Sequence, residues 1–218
     1  MTTALTGRPT KAISQQKRRI AQQRASGSVA RRKSLPEYLE QHEVEALIQA
    51  APNPQSRLLM LIQWRGGLRV SEALNIERGD LQLNPTQIAT EGGRPTIRIR
   101  QGKGDRDRII PCHPELRAAL LNALAYGNVG RGPIIPATRS TAWRWVKAAA
   151  LRAVEAGTLP KGKNIGTHTL RHSYARHLLQ HGIPVNYLSR WMGHASIQTT
   201  LVYLALVPDQ AGSLERVP

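Results

Sequence analysis

THTLRHSYARHLLQHGIPVNYLSRWMGHASIQTTLVY, residues 167–203, decides how this chain is read. His168 and Arg171 are three apart, so on a helix that begins near Thr169 they project to nearly one face. Gly182 is placed to stop that helix and Pro184 to open the next. Val185, Leu188 and Met192 fall at helical spacing as the second helix's buried stripe, and Gly193 ends it. His194 follows at the turn. Ser196 is a suitable N-cap for a third helix, with Tyr203 about two turns into it. Two histidines, an arginine and a tyrosine hydroxyl are thus carried on short consecutive helices, which allows them to converge on one pocket.

These residues also carry a resemblance. His168-Thr169-Leu170-Arg171-His172-Ser173, then Met192-Gly193-His194 and Thr200-Leu201-Val202-Tyr203, resemble the motifs of the tyrosine recombinases, also called the phage integrase family. The intervals of 23 residues from Arg171 to His194 and nine from His194 to Tyr203 are similar to that family's spacing. Met192 stands where the family usually has Leu. The resemblance covers about residue 37 to residue 204 and implies an α+β, mostly helical catalytic domain with a small antiparallel sheet. It further implies site-specific cleavage and rejoining of double-stranded DNA through a covalent 3′-phosphotyrosine, with Tyr203 as nucleophile, in a homo-oligomer (dimer or tetramer) on DNA.

Upstream, Gly66 and Gly67 break an apolar helix, and Leu68-Arg69-Val70-Ser71-Glu72-Ala73-Leu74 follows. Behind two glycines, Arg69 would sit at a helix start where backbone can approach a phosphate closely. By spacing alone a surface arginine paired with Glu72 is the favoured reading; by resemblance it is the family's first active-site arginine. Between residues 81 and 111 the period changes to alternation. Ile97 and Ile99 alternate with Arg98 and Arg100, and Arg108-Ile109-Ile110 forms a second short run after Gly102-Lys103-Gly104-Asp105. This predicts a hairpin with Lys103 near its tip. A Gly-Lys-Gly turn is ordinarily a solvent-exposed loop, and the resemblance makes Lys103 an active-site residue.

The remaining pattern is helical. Val44, Leu47 and Ile48 share a face of a helix ending near Ala51, and Asn53 and Pro54 cap and start another carrying Leu58, Leu59, Leu61 and Ile62. Residues 116–124 form a further helix. Ser140 or Thr141 is the expected cap of the next, with Ala142, Trp145, Val146 and Ala149 as its apolar stripe and Trp143 and Arg144 off it. Lys161 and Lys163 lie in a basic loop leading to His168, and are expected to bind DNA.

Composition agrees with a polyanionic partner. The chain has 218 residues with 31 Lys and Arg against 14 Asp and Glu, a formal +17. Residues 1–36 contain nine basic residues, among them Arg18, Arg19, Arg31, Arg32 and Lys33, and no acidic one. Too few large apolar residues accompany them to form a core. We therefore divide the chain into a basic flexible segment over 1–36, which is either a DNA-binding arm or a solvated tail, and a catalytic domain over 37–218. That segment stands where the family usually carries a separate DNA-binding domain. No run of about 18 apolar residues and no signal-peptide pattern is present, so no membrane partner and a cytoplasmic location are expected. The single Cys112 excludes an internal disulfide, and with no His-Glu-x-x-His run a zinc site is not expected.

The chemistry follows from residue types. A phenol with pKa near 10 is a poor nucleophile at neutral pH and needs cationic neighbours or a base. Arginines fork onto non-bridging phosphoryl oxygens, histidines donate hydrogen bonds or relay protons, and a lysine can protonate the departing 5′ oxygen. Such a reaction needs neither metal nor cofactor. A type IB topoisomerase would use nearly the same residues. A helix-turn-helix regulator built on residues 183–204 is the other reading; it leaves Arg69, Lys103, His168 and Arg171 without a role.

Overall fold

The computed structural model describes residues 35–84, 93–100, 107–126 and 132–207. In chain order its elements are α1 (Gln41–Gln49), α2 (Pro54–Gly66), α3 (Val70–Leu74), a 3-10 turn (Arg78–Asp80), β1 (Leu81–Gln82), β2 (Thr96–Ile99), β3 (Arg108–Pro111), α4 (Pro114–Tyr126), α5 (Arg139–Glu155), α6 (Thr169–Gln180), α7 (Val185–Met192), α8 (Gln198–Leu201) and a closing 3-10 turn (Val202–Leu206). This is the expected α+β, mostly helical architecture.

Helix α2 is the hub, packing on α1, α3, α4, α5 and α6. Its start is fixed by Asn53, whose Oδ1 accepts from the Ser56 N–H at 2.8 Å, and by Pro54 at the first helical position. Leu59, Met60, Ile62 and Trp64 are buried on several sides of it, as a helix enclosed by others requires. Leu59, Met60 and Ile62 each contribute about 1.5–3 kcal/mol by leaving water. Gly67 ends the helix in the left-handed region at φ +66, and a Cβ there would lie 2.3 Å from the Tyr174 ring. The close approach of α6 to the end of α2 therefore depends on glycine.

The sheet runs β1-β2-β3, antiparallel throughout, with Leu81 opposite Ile97 and Ile97 opposite Ile110. Ile97, Ile99 and Ile110 are buried in the common core, while Arg98 and Ile109, opposite each other, leave it. The alternation read from sequence is thus the pleat.

Three local expectations are corrected. Helix α5 is capped by Thr138, whose Oγ1 accepts from the Thr141 N–H at 3.1 Å, and not by Ser140 or Thr141. Thr138 has extended backbone (φ −86, ψ 162) whereas Ser140 and Thr141 are already helical, and only an extended residue can turn its hydroxyl back on the first amides. The third helix of the decisive stretch is short, with Ile197 in the cap position; Ser196 contributes a long bond, its Oγ accepting from Gln198 N–H at 3.3 Å. Tyr203 consequently lies in the tighter 3-10 turn that continues α8. Among the described residues, no helix is long and apolar enough to cross a membrane.

Candidate active site

The site is built around the C-terminus of α7. That helix ends at Gly193 in the left-handed region (φ 64), leaving its last carbonyls without partners inside the helix. Three arginines from three other elements take three consecutive ones. Arg108 of β3 donates its Nε–H to Trp191 O at 2.8 Å, Arg171 of α6 donates from Nη2 to Met192 O at 2.6 Å, and Arg69, the cap of α3, donates from Nη2 to Gly193 O at 3.2 Å. Cations at a helix C-terminus also meet the negative end of its dipole. Arg171 further donates from Nη1 to Gly67 O at 2.7 Å, so the end of α2 and the end of α7 are held by one guanidinium.

Three cations so close repel, and Glu72 offsets this. Its carboxylate lies 2.8 Å from Arg69, accepts a two-pronged bond from Arg108 at 3.0 and 2.9 Å, and stands 3.6 Å from Arg171. It also accepts from the Arg69 backbone N–H at 2.7 Å, the return half of a capping box. Burial works against the carboxylate, but the Arg108 bond and charge, the Arg69 amide and Arg171 outweigh it and hold its pKa below the usual value. Burial, then Arg69, pushes Arg171 down to about 10, so it stays protonated at neutral pH. Arg69 is thus the partner of Glu72 that its spacing allowed and also a member of the arginine cluster, and its side chain is 38% exposed.

Four rings line the adjoining wall. His168 caps the start of α6 and is exposed; its ring centroid is 6.3 Å from that of His172. His172 Nδ1 is 2.8 Å from the Tyr203 hydroxyl. The Tyr203 ring lies nearly parallel to His194 at 6.4 Å, and His194 Nδ1 is fixed by the buried Thr200 hydroxyl at 2.7 Å, which leaves Nε2 as the nitrogen able to meet a ligand. Burial, reinforced by the cations, pushes His172 and His194 down to about 4 and lowers His168 as well. All three are neutral at pH 7. Tyr203 is 5% exposed, and its pKa is raised by burial against the pull of Arg171 and Arg69.

The structure therefore brings together Arg69, His168, Arg171, His194 and Tyr203. Lys103 lies outside the described residues, as do Arg18, Arg19, Arg31, Arg32 and Lys33. Lys161 is exposed, whereas Lys163 is engaged by Glu43 at 2.6 Å, tying its loop to α1. Sequence reading gave no site role to Glu72, Arg108, His172 or Thr200. A signal existed for Glu72, three residues after Arg69 on a predicted helix, and for His172, one residue from Arg171. None existed for Arg108, whose partners are 36 and 83 residues away in sequence.

Residues 37–209 match the sequence model of the Phage integrase family. A tyrosine recombinase of Thermosipho africanus is 30% identical over 190 residues, 82% of this chain and 60% of that protein. A resolvase of Escherichia coli is 30% identical over 206 residues, 84% of this chain and 78% of that protein. The crystal structure of XerA recombinase is similar with a TM-score of 0.64 and 26% identity, over 84% of this chain and 64% of that one. This chain thus spans less than two thirds of the length of the Thermosipho and XerA proteins. With the motif residues gathered in one pocket and the family match running through nearly all of the described fold, the chain belongs to the phage integrase family.

Proposed function

We propose that the protein is a site-specific DNA recombinase that cleaves and rejoins strands through a 3′-phosphotyrosine at Tyr203. The observation that carries this reading is the placement of the buried Tyr203 hydroxyl in the wall that also holds His168 and His194, within the electrostatic reach of Arg69 and Arg171. A phosphodiester seated there meets the N–H groups that Arg69 and Arg171 do not spend on carbonyls, since a guanidinium has five. Those donors stabilise the charge that builds as phosphorus becomes five-coordinate. His168 and the Nε2 of His194, both neutral, add hydrogen bonds. Tyr203 Oη attacks, the bond to the 5′ oxygen breaks, and Lys103 supplies the proton that oxygen needs. The phosphotyrosine conserves the bond energy for religation.

Double-stranded DNA is the partner this chemistry and the +17 charge favour. Arg18, Arg19, Arg31, Arg32, Lys33, Lys161 and Lys163 lie along the duplex backbone in this reading, Lys163 after release from Glu43. Exchange between two duplexes cuts four strands, and each chain brings one Tyr203, so the working unit is a homo-oligomer on DNA. The experiment uses a randomised library of duplexes, each nicked so that cleavage sheds a short fragment and traps the intermediate. Protein that migrates with labelled DNA on a denaturing gel supports the reading; binding without any protein-linked strand leaves a non-enzymatic DNA-binding regulator. Joining of strands between two duplexes separates recombination from topoisomerase action on one.

A further inference from the structure

We propose that His172 is a catalytic residue: its Nδ1 takes the proton of Tyr203 as the hydroxyl attacks and returns it when the strand is rejoined. The inference rests on the strand-cleavage reading above and adds to it the fate of the nucleophile's proton. The geometry is direct. Nδ1 of His172 and Oη of Tyr203 are 2.8 Å apart, a distance at which a proton transfers without rearrangement. The two rings are tilted by 42° at 5.6 Å, so the contact is edge-on through the nitrogen. His168 and His194 show no such bond to the hydroxyl: His194 spends its Nδ1 on Thr200, and the ring contact of His168 is with His172, at 6.3 Å between centroids.

The position also explains how the base stays quiet until it is needed. The charged and titratable groups facing His172 are His168 and Arg171 from its own helix and Tyr203 from the closing 3-10 turn. Burial, reinforced by Arg171, keeps the ring neutral, so Nδ1 is free to accept while the phenol stays protonated. A phosphodiester brings negative charge into that pocket, and more develops as it becomes five-coordinate. The imidazolium that burial and Arg171 disfavour is then compensated at the moment it forms. In the forward step the Tyr203 O–H bond breaks, its proton goes to Nδ1, and its electron pair forms the Oη–P bond as the P–O5′ bond breaks. The 5′ oxygen is protonated separately by the general acid, Lys103. On religation a 5′ hydroxyl gives its proton to the now neutral Lys103 amine and attacks phosphorus, the Oη–P bond breaks, and the imidazolium gives its proton back to Oη. Nothing is oxidised or reduced.

The test uses His172→Asn, whose side-chain carbonyl can hold the hydroxyl from nearly the position of Nδ1 but cannot accept a proton. We expect DNA binding to be unchanged and single-turnover cleavage to fall about 10²-fold or more. Replacing Tyr203 by trifluorotyrosine, a phenol that ionises near neutral pH unaided, should restore the rate in that variant, while a substrate with bridging 5′ sulfur should not. Normal cleavage by His172→Asn, no recovery with the fluorinated nucleophile while binding persists, or recovery with the sulfur substrate would each overturn the assignment. A second measurement needs no substitution. In ¹⁵N-histidine-labelled protein, Nδ1 of His172 must be bare and accepting; a proton found there at neutral pH overturns it. Should the unsubstituted protein form no covalent adduct, the cleavage reading itself has failed, which the same gels show separately.

Discussion

Arg108 and Glu72 form a two-pronged ion pair, Nη1 to Oε1 at 3.0 Å and Nη2 to Oε2 at 2.9 Å, with each side chain only 10% exposed. The pair joins β3 to α3, and through the Arg108 Nε–H it also reaches α7. Neutralising the carboxylate leaves three arginines facing one another over the same helix end. Glu72→Gln should therefore destabilise the fold by roughly 3–5 kcal/mol, the range for breaking one side of a buried pair. It should also abolish cleavage at temperatures where the protein remains folded. Urea unfolding and single-turnover cleavage check the two parts; stability within about 0.5 kcal/mol of the unsubstituted protein, the usual range for a neutral surface change, would contradict the account.

The two site arginines should respond differently to lysine. Arg171 is 4% exposed and bridges Gly67 O and Met192 O, which a single ammonium cannot span while also meeting a phosphate. Arg171→Lys is expected to lower both the melting temperature and the cleavage rate. Arg69 is more exposed and makes one carbonyl bond, at 3.2 Å. For Arg69→Lys we expect an almost unchanged melting temperature but a loss of about 2–4 kcal/mol at the transition state, as for a removed oxyanion donor. Thermal melts paired with single-turnover rates distinguish the two patterns, and equal behaviour of both variants would contradict their assigned geometry.

Acidification should weaken the fold well before the carboxylates titrate. His172, His177 and His194 are each pushed down to about 4, burial being the first cause in every case, and His113 and His168 are lowered too. Unfolded histidines titrate near 6.5, so between about pH 6.5 and 4 the unfolded chain binds more protons and stability rises with pH. The contribution is complete above 6.5 and is lost on the way down to 4. The lowered carboxyls of Glu43 and Glu72 add a loss of the same sign below their ordinary 4.5. Melting temperatures at constant ionic strength should fall steadily from pH 7 to 5, and less steeply in His177→Asn, which removes one such group outside the site. A melting temperature that holds or rises on acidification would contradict this.

How much of this was legible in sequence depends on how local each decision was. His168, Arg171, His194 and Tyr203 lie in one stretch whose Gly182, Pro184 and Gly193 set the helix ends, and all four are in the pocket. Arg69 was ambiguous because its spacing allowed a simple pair with Glu72, and the structure shows that pair together with a bond to Gly193 O. The cap of α5 was misplaced because Thr138, Ser140 and Thr141 are all suitable residues, and backbone conformation, not residue type, selects among them. Arg108 was read only as the start of a strand. Its role arises when β3 is laid beside α7, and periodicity cannot report contact between elements 83 residues apart. Lys103 and the cations of the basic segment lie outside the described residues.

The central claim is that Tyr203 becomes linked to DNA, and its most direct test is the identity of the linked residue. Adducts trapped on nicked duplex are digested with nuclease and protease, and the peptide retaining a nucleotide is sequenced by mass spectrometry, in parallel with Tyr203→Phe. The account predicts the nucleotide on Tyr203 alone, and from Tyr203→Phe a protein that still binds DNA yet yields no adduct. A nucleotide on Tyr126, Tyr174 or Tyr187, or an adduct that persists in Tyr203→Phe, would contradict it.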